Sequence, residues 1–110
     1  YNRYFSLWPH LYLVRHEQQY GLFNHTYREL IPVIYNQVIV EPGKDHIKVE
    51  LNGLWGLYNF DGSMALAPIY EELHEVTSDH VIATRDGAVR RISRFGAREI
   101  RQNTAWSANL

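Results

Sequence analysis

The chain contains no cysteine, which excludes disulfides, thiolate metal sites and cysteine nucleophiles. The compartment stays open, because a cysteine-free chain folds as well in a cytoplasm as in a cell envelope. No apolar run reaches the ~18 residues that span a bilayer. No signal-peptide pattern opens the sequence, and Tyr1 in place of Met reads as a cut or processing point. Charge of one sign is missing as well: 11 Lys and Arg stand against 12 Asp and Glu, so nothing biases the whole chain toward nucleic acid or an anionic membrane. There is no Gly-x-Ser-x-Gly elbow, no phosphate-cradling P-loop and no dinucleotide fingerprint. The helical zinc pattern is missed twice. His16-Glu17 leads to Tyr20 where a second histidine is needed, and His74-Glu75 has no second histidine at the required spacing.

What is present fits one folded domain or a piece of one. The 110 residues are 45% hydrophobic, and a chain of that size buries roughly two-thirds of its unfolded surface. The sequence also repeats itself. Gly21-Leu22-Phe23-Asn24 aligns with Gly56-Leu57-Tyr58-Asn59, and Ile34-Tyr35 aligns with Ile69-Tyr70. Asp45-His46-Ile47 then matches Asp79-His80-Val81, and Asn52-Gly53 matches Asp86-Gly87. The period of 34 to 35 residues is the length of one supersecondary unit in a stacked array. It divides the chain into a partial unit 1–19, units 20–53 and 54–87, and a degenerate capping unit 88–110.

Each unit reads as short strands joined by tight turns. Asn52-Gly53, Asp61-Gly62 and Asp86-Gly87 suit turns that need positive φ. Between them, His46 to Leu51 alternates polar and apolar residues, with Leu11 to His16 and His80 to Arg85 as counterparts. Pro32, Pro42 and Pro68 fall where ladders should break. Glu71 to Glu75 is too short and too poorly capped for a lone helix and reads as strand or loop. The expected fold is all-β: antiparallel meander units stacked as a short solenoid- or barrel-like array, with little or no helix. In that scheme Trp55 wedges between strands as a large apolar body, Gly56 makes room for a close backbone, Gly62 turns the chain, and Tyr35 and Tyr70 pack back. Gly21 plays the part of Gly56 one unit earlier.

Trp55-Gly56-Leu57-Tyr58, followed by Asp61-Gly62 and Pro68-Ile69-Tyr70, resembles the WG (or KWG) repeat of bacterial proteins. The resemblance covers Tyr20 to Gly96. It departs at Tyr20, which stands where the pattern has tryptophan, at His25-Thr26-Tyr27, which lacks the glycine turn, and at Val89-Arg90, which replaces Trp-Gly altogether. WG-repeat proteins look mainly like binding or scaffolding modules. The resemblance therefore implies a non-enzymatic protein-binding module with no catalytic residues to carry over and no cofactor.

Three groups of residues compete for function. Asp45-His46 and Asp79-His80 recur as carboxylate–imidazole pairs, and a histidine held by a carboxylate makes a sound zinc ligand. The bland reading is shared structure, with His46 on the polar, solvent-facing side of its strand and nearly neutral to truncation. Arg85, Arg90, Arg91, Arg94, Arg98 and Arg101 hold six of the eleven basic residues and could track phosphates or an acidic protein face. The bland reading pairs them with Glu71, Glu72, Glu75 and Asp79 across strands. Tyr1, Tyr4, Phe5 and Trp8 crowd the N-terminus, and Tyr and Trp are enriched at binding hot spots. Leu11, Leu13 and Ile82 fall opposite Tyr12, Val14, Val81 and Ala83, so these strands are apolar on both sides and must be either covered twice or exposed as a patch. The leading expectation is a protein-binding surface that includes Arg90, Arg91, Arg94, Arg98, Tyr4 and Trp8, with an immunity protein that neutralises a toxin as one variant. Nucleic-acid binding through the arginines stands as an alternative, and a metal-dependent hydrolase built on Asp45, His46, Asp79 and His80 comes last.

Overall fold

The computed structural model describes residues 10–94 in full and residues 3–7 as backbone. Eleven strands form three antiparallel sheets, and no helix occurs among the described residues. Sheet I is a four-stranded meander of β1 (Arg3–Leu7), β2 (Leu11–His16), β3 (Gln19–Asn24) and β4 (Glu29–Tyr35). Sheet II repeats it with β5 (Gln37–Val40), β6 (His46–Leu51), β7 (Leu54–Asn59) and β8 (Met64–Tyr70). Sheet III has β9 (Glu72–Val76), β10 (His80–Arg85) and β11 (Ala88–Ser93). Among the described residues the sheets do not close into a barrel. The segment 71–75, ambiguous in sequence, is Glu71 and the first part of β9.

The turns form where the sequence supplies residues that tolerate positive φ. Asn52 and Gly53 take φ of 54° and 87°, and Asp86 and Gly87 take 54° and 78°, as the two-residue hairpin with primed geometry requires. Sheet I turns at the equivalent place with Glu17 at φ 59° and Gln18 outside the positive-φ region, so only its first central residue matches the other two turns.

The Trp-Gly order acquires a physical reason in the pairing of β7 with β8. Trp55 lies opposite Tyr70 and Leu57 opposite Leu66, so Gly56 alone faces the three residues Ala67, Pro68 and Ile69. In sheet I, Tyr20 pairs with Tyr35 and Leu22 with Ile31, leaving Gly21 against Pro32, Val33 and Ile34. A Cβ on Gly56 would stand 2.8 Å from the Leu66 carbonyl oxygen, and one on Gly21 2.6 Å from the Ile31 carbonyl oxygen. Glycine is therefore required because the bulged strand folds down onto it, and proline is admitted because the bulge breaks the ladder there. The third unit has Arg90 at this register, opposite Ala83 as Gly56 is opposite Val49 and Gly21 opposite Val14.

The sheets join at single residues, out of phase with the Trp-Gly pairs. Asn36 links β4 to β5 and Glu71 links β8 to β9. Each clamps its chain to the hairpin turn of the following sheet. The Asn36 N–H donates to the Glu50 carbonyl and the Glu71 N–H to the Thr84 carbonyl, both at 2.8 Å. The Asn36 side-chain oxygen accepts from the Asn52 N–H at 2.7 Å, and the Glu71 carboxylate accepts from Asp86 and Gly87 at 2.8 and 3.1 Å.

Two cores follow from this stacking. Leu11, Leu22, Ile31 and Tyr35 of sheet I pack against Ile47, Val49 and Tyr58 of sheet II. Leu57, Ala65, Leu66 and Tyr70 of sheet II pack against Val81, Ala83 and Ile92 of sheet III. Sheet II is covered on both faces, whereas β2 and β10, the strands that read as apolar on both sides, lie in sheets I and III. At the first seam the Tyr35 and Tyr58 hydroxyls share a 2.7 Å hydrogen bond with their rings edge to face, and burial pushes the Tyr58 phenol far above its ordinary value. Trp55 is half-buried and belongs to neither core, so the central wedge expected of it is taken instead by Leu57, Leu66 and Tyr70.

Candidate interaction surface

The third strand of sheet I ends in a turn, Asn24 to Arg28, that copies the turn Asn59 to Ser63 of sheet II. In each, the asparagine N–H donates 2.9 Å to a carbonyl four residues on, of Arg28 or Ser63. The N–H three residues on, of Tyr27 or Gly62, returns to the asparagine carbonyl. Gly62 occupies its place with φ 92°, where glycine carries no steric cost. Tyr27 occupies the equivalent place with φ 64°. An aromatic residue held in the left-handed region costs of order 1–3 kcal/mol unless its surroundings compensate. Part of the compensation is local: the Asn24 side-chain oxygen accepts from the Thr26 N–H, the Thr26 hydroxyl and the Arg28 N–H at 3.0, 2.8 and 2.9 Å. The rest is a ring stack. Tyr27 lies 5.2 Å from Tyr12, their planes 17° apart, and keeps 65% of its surface exposed. The neighbouring Tyr27 phenol hydroxyl raises the Tyr12 phenol pKa.

On the side toward sheet II this turn borders a cleft of about 550 Å³. Sheet I contributes His10, Leu11, Asn24, His25, Arg28, Glu29 and Leu30, and sheet II closes it with Phe60, Asp61 and Gly62. Asp61 spends one carboxylate oxygen on the Ser63 N–H and hydroxyl, at 2.9 and 2.6 Å, and those bonds lower its pKa.

The second seam is built on the same plan and filled differently. Arg94 follows β11 as Phe60 follows β7 and His25 follows β3. Its guanidinium is buried at 2% exposure. It donates to the Asp45 carboxylate at 2.8 Å, the Asp45 carbonyl at 2.6 Å, the Thr77 carbonyl at 2.9 Å and the Asn59 side-chain oxygen at 3.2 Å. Arg94 holds the Asp45 carboxyl below its ordinary pKa. His46 next to it is 4% exposed and its Nε2 has no hydrogen-bond partner. Desolvation, reinforced by the Arg94 charge, lowers its pKa.

The residues singled out from sequence are thereby dispersed. Arg94, expected on a binding surface, is an interior strut. Arg90 is half-buried opposite Ala83, and Arg91 is exposed opposite Ile82. Tyr4 lies in β1 opposite Val14, its side chain outside the described residues, as are Trp8, Arg98 and Arg101. The acidic stretch is occupied with other partners: Glu71 holds the β10–β11 turn, while Glu75 and Asp79 flank His80 at 3.4 and 2.9 Å. His46, expected to face solvent, is buried. The alternation that put it on the polar face does not register the seam beyond it. His80 shares its backbone position yet is only half-buried and bonded to Asp79 and Thr77. Among the described residues no three histidine or carboxylate side chains converge in a metal-holding group, and no helix is long and apolar enough to cross a membrane. The stacked tyrosines and the cleft were missed in sequence. Their one visible sign was the absence of glycine from His25-Thr26-Tyr27.

No family model, curated protein or solved structure matches this chain.

Proposed function

We propose that the chain is a non-enzymatic β-repeat module that binds another protein, as its resemblance to WG repeats implies, and that it does so through the outer turn of sheet I. The observation that carries this reading is Tyr27. A residue exposed over 65% of its surface and held at positive φ where the sister turn uses glycine is conformationally costly and brings little burial in return. Such strain concentrates at binding and switch positions. Tyrosine also offers a rigid contact surface with little side-chain entropy to lose. With Arg94 withdrawn into the interior, the arginine cluster gives less support to nucleic-acid binding.

Tyr27→Gly tests the reading, because it restores the residue that the sister turn carries. The thermal midpoint is expected to stay within a few degrees of the parent, relief of strain offsetting loss of the ring stack. Partner capture, scored by reconstitution with the purified protein, is expected to fall at least tenfold. A Tyr27→Gly variant that folds and captures its partner undiminished removes this surface from the function.

A further inference from the structure

We infer that the cleft between sheets I and II receives an arginine side chain from the partner, a role that Arg94 fills internally at the next seam. This inference rests on the reading of the module as protein-binding and names the chemistry of that partner.

The chain shows what completes such a seam. Between sheets II and III a buried guanidinium fills the seam, anchored on Asn59 and Asp45. Between sheets I and II the equivalent residue is Phe60, which packs on the apolar core and donates nothing. The cleft there remains open, with Asn24 at the place of Asn59. Its acceptors come from elsewhere. Glu29 starts β4 where Met64 starts β8, so this carboxylate is peculiar to sheet I, and no residue among those described forms an ion pair with it. Asp61 keeps its second carboxylate oxygen available beyond the turn bonds.

Two carboxylates and a phenyl ring lining one cleft suit a guanidinium better than an ammonium or an anion. The planar cation stacks on an aromatic face while its N–H fork spans carboxylate oxygens. Arg28 on the same rim is the competing cation. It offsets one of the two carboxylates and sets the affinity low.

The test titrates N-acetyl-arginine amide into the folded chain and follows backbone amide NMR shifts. N-acetyl-citrulline amide, N-acetyl-lysine amide and inorganic phosphate serve as comparators. Saturable shifts confined to Gly62 and the Asn24–Arg28 turn are expected with the arginine amide. The lysine amide should bind more weakly and the citrulline amide not at all. Glu29→Gln should weaken the arginine amide roughly threefold, the size of an exposed ion pair, and Arg28→Gln should strengthen it, each with the remaining spectrum unchanged. Equal shifts from the citrulline amide, preferential binding of phosphate, or indifference to Glu29→Gln would overturn the inference. If the probe fails while Tyr27→Gly still abolishes capture, the arginine assignment alone falls. If the probe binds while Tyr27→Gly captures normally, the Tyr27 surface alone falls.

Discussion

His46 stands at the register position that Leu11 fills in sheet I, and the comparison within one chain predicts what the imidazole costs. Its ring is buried and Nε2 is unsatisfied, a defect typically worth ~1–3 kcal/mol. His46→Leu is therefore expected to raise stability by about 1 kcal/mol in chemical denaturation at neutral pH. His46→Ala, neutral if the ring faced solvent, is expected to cost about 1–3 kcal/mol because it leaves a hole at the seam. The pH dependence follows the same residue. The folded-state pKa lies below the ordinary imidazole value of about 6.5, so the unfolded chain binds the extra proton first. Stability is full above ~6.5 and is lost as the pH falls through that value toward the depressed folded pKa. Asp45 opposes the shift, while Arg94 and Lys48 reinforce it. His46→Leu should flatten stability over the upper part of this range. An equally steep fall in the variant would place the acid sensitivity elsewhere. Trp55, half-buried and outside both cores, should lose only about 1–2 kcal/mol on truncation to Ala, less than the 3–5 typical of a fully buried aromatic.

At the scale of elements the controlling feature is the three-residue bulge folded over a glycine. Gly56→Val is expected to cost several kcal/mol, of order 3 or more, because its Cβ would meet the Leu66 carbonyl and the Pro68 backbone at 2.8 to 3.0 Å and neither can move without breaking the β7–β8 ladder. A urea midpoint near the parental one would mean that the bulge adapts. The sequence carried this feature legibly, since Gly21-Leu22-Phe23-Asn24 with Pro32 and Ile34-Tyr35 returns as Gly56-Leu57-Tyr58-Asn59 with Pro68 and Ile69-Tyr70, and only a hairpin with a close approach needs that order. It carried the hairpin turns equally well, because their residue types are set by local φ. Where the sheets are cut was not legible. Asn36 and Glu71 act through hydrogen bonds to turns 15 or 16 residues away, and nothing local distinguishes them from other polar residues. Glu71→Ala should accordingly lower the thermal midpoint and raise amide exchange at Asp86 and Gly87 first. Its carboxylate is held below the ordinary pKa by those two N–H groups, so its contribution is present above the ordinary carboxylate range and fades as the pH drops through the depressed value.

Among the described residues the two cores join sheet I to sheet II and sheet II to sheet III, so in this stack stability divides into sheets and seams. The two seams differ in kind. The first is held by apolar packing and the buried Tyr35–Tyr58 hydroxyl pair. The second adds a guanidinium that joins sheet III to sheet II through three hydrogen bonds to Asn59 and Asp45 and is steadied by a fourth to Thr77 within sheet III. That Arg94 does this was hidden in the sequence by its company, since five other arginines nearby made it look like part of a surface patch. Burial of one member of such a cluster is decided by tertiary position, not by spacing. The consequence is directional. Arg94→Ala removes charged hydrogen bonds and leaves a hole, a loss on the order of 2–4 kcal/mol, and that loss falls on one seam alone. Native-state hydrogen exchange should therefore show β10 and β11 amides losing protection while β2 and β3 amides keep theirs, the stack opening from sheet III inward. Arg94→Phe supplies the residue that the first seam uses at this position, but it would leave the Asp45 carbonyl and the Asn59 side chain without their donor. It should recover packing without recovering full protection. Uniform loss of protection across all three sheets in Arg94→Ala would show instead that the chain unfolds as one cooperative body, and the division into sheets and seams would then carry no energetic meaning.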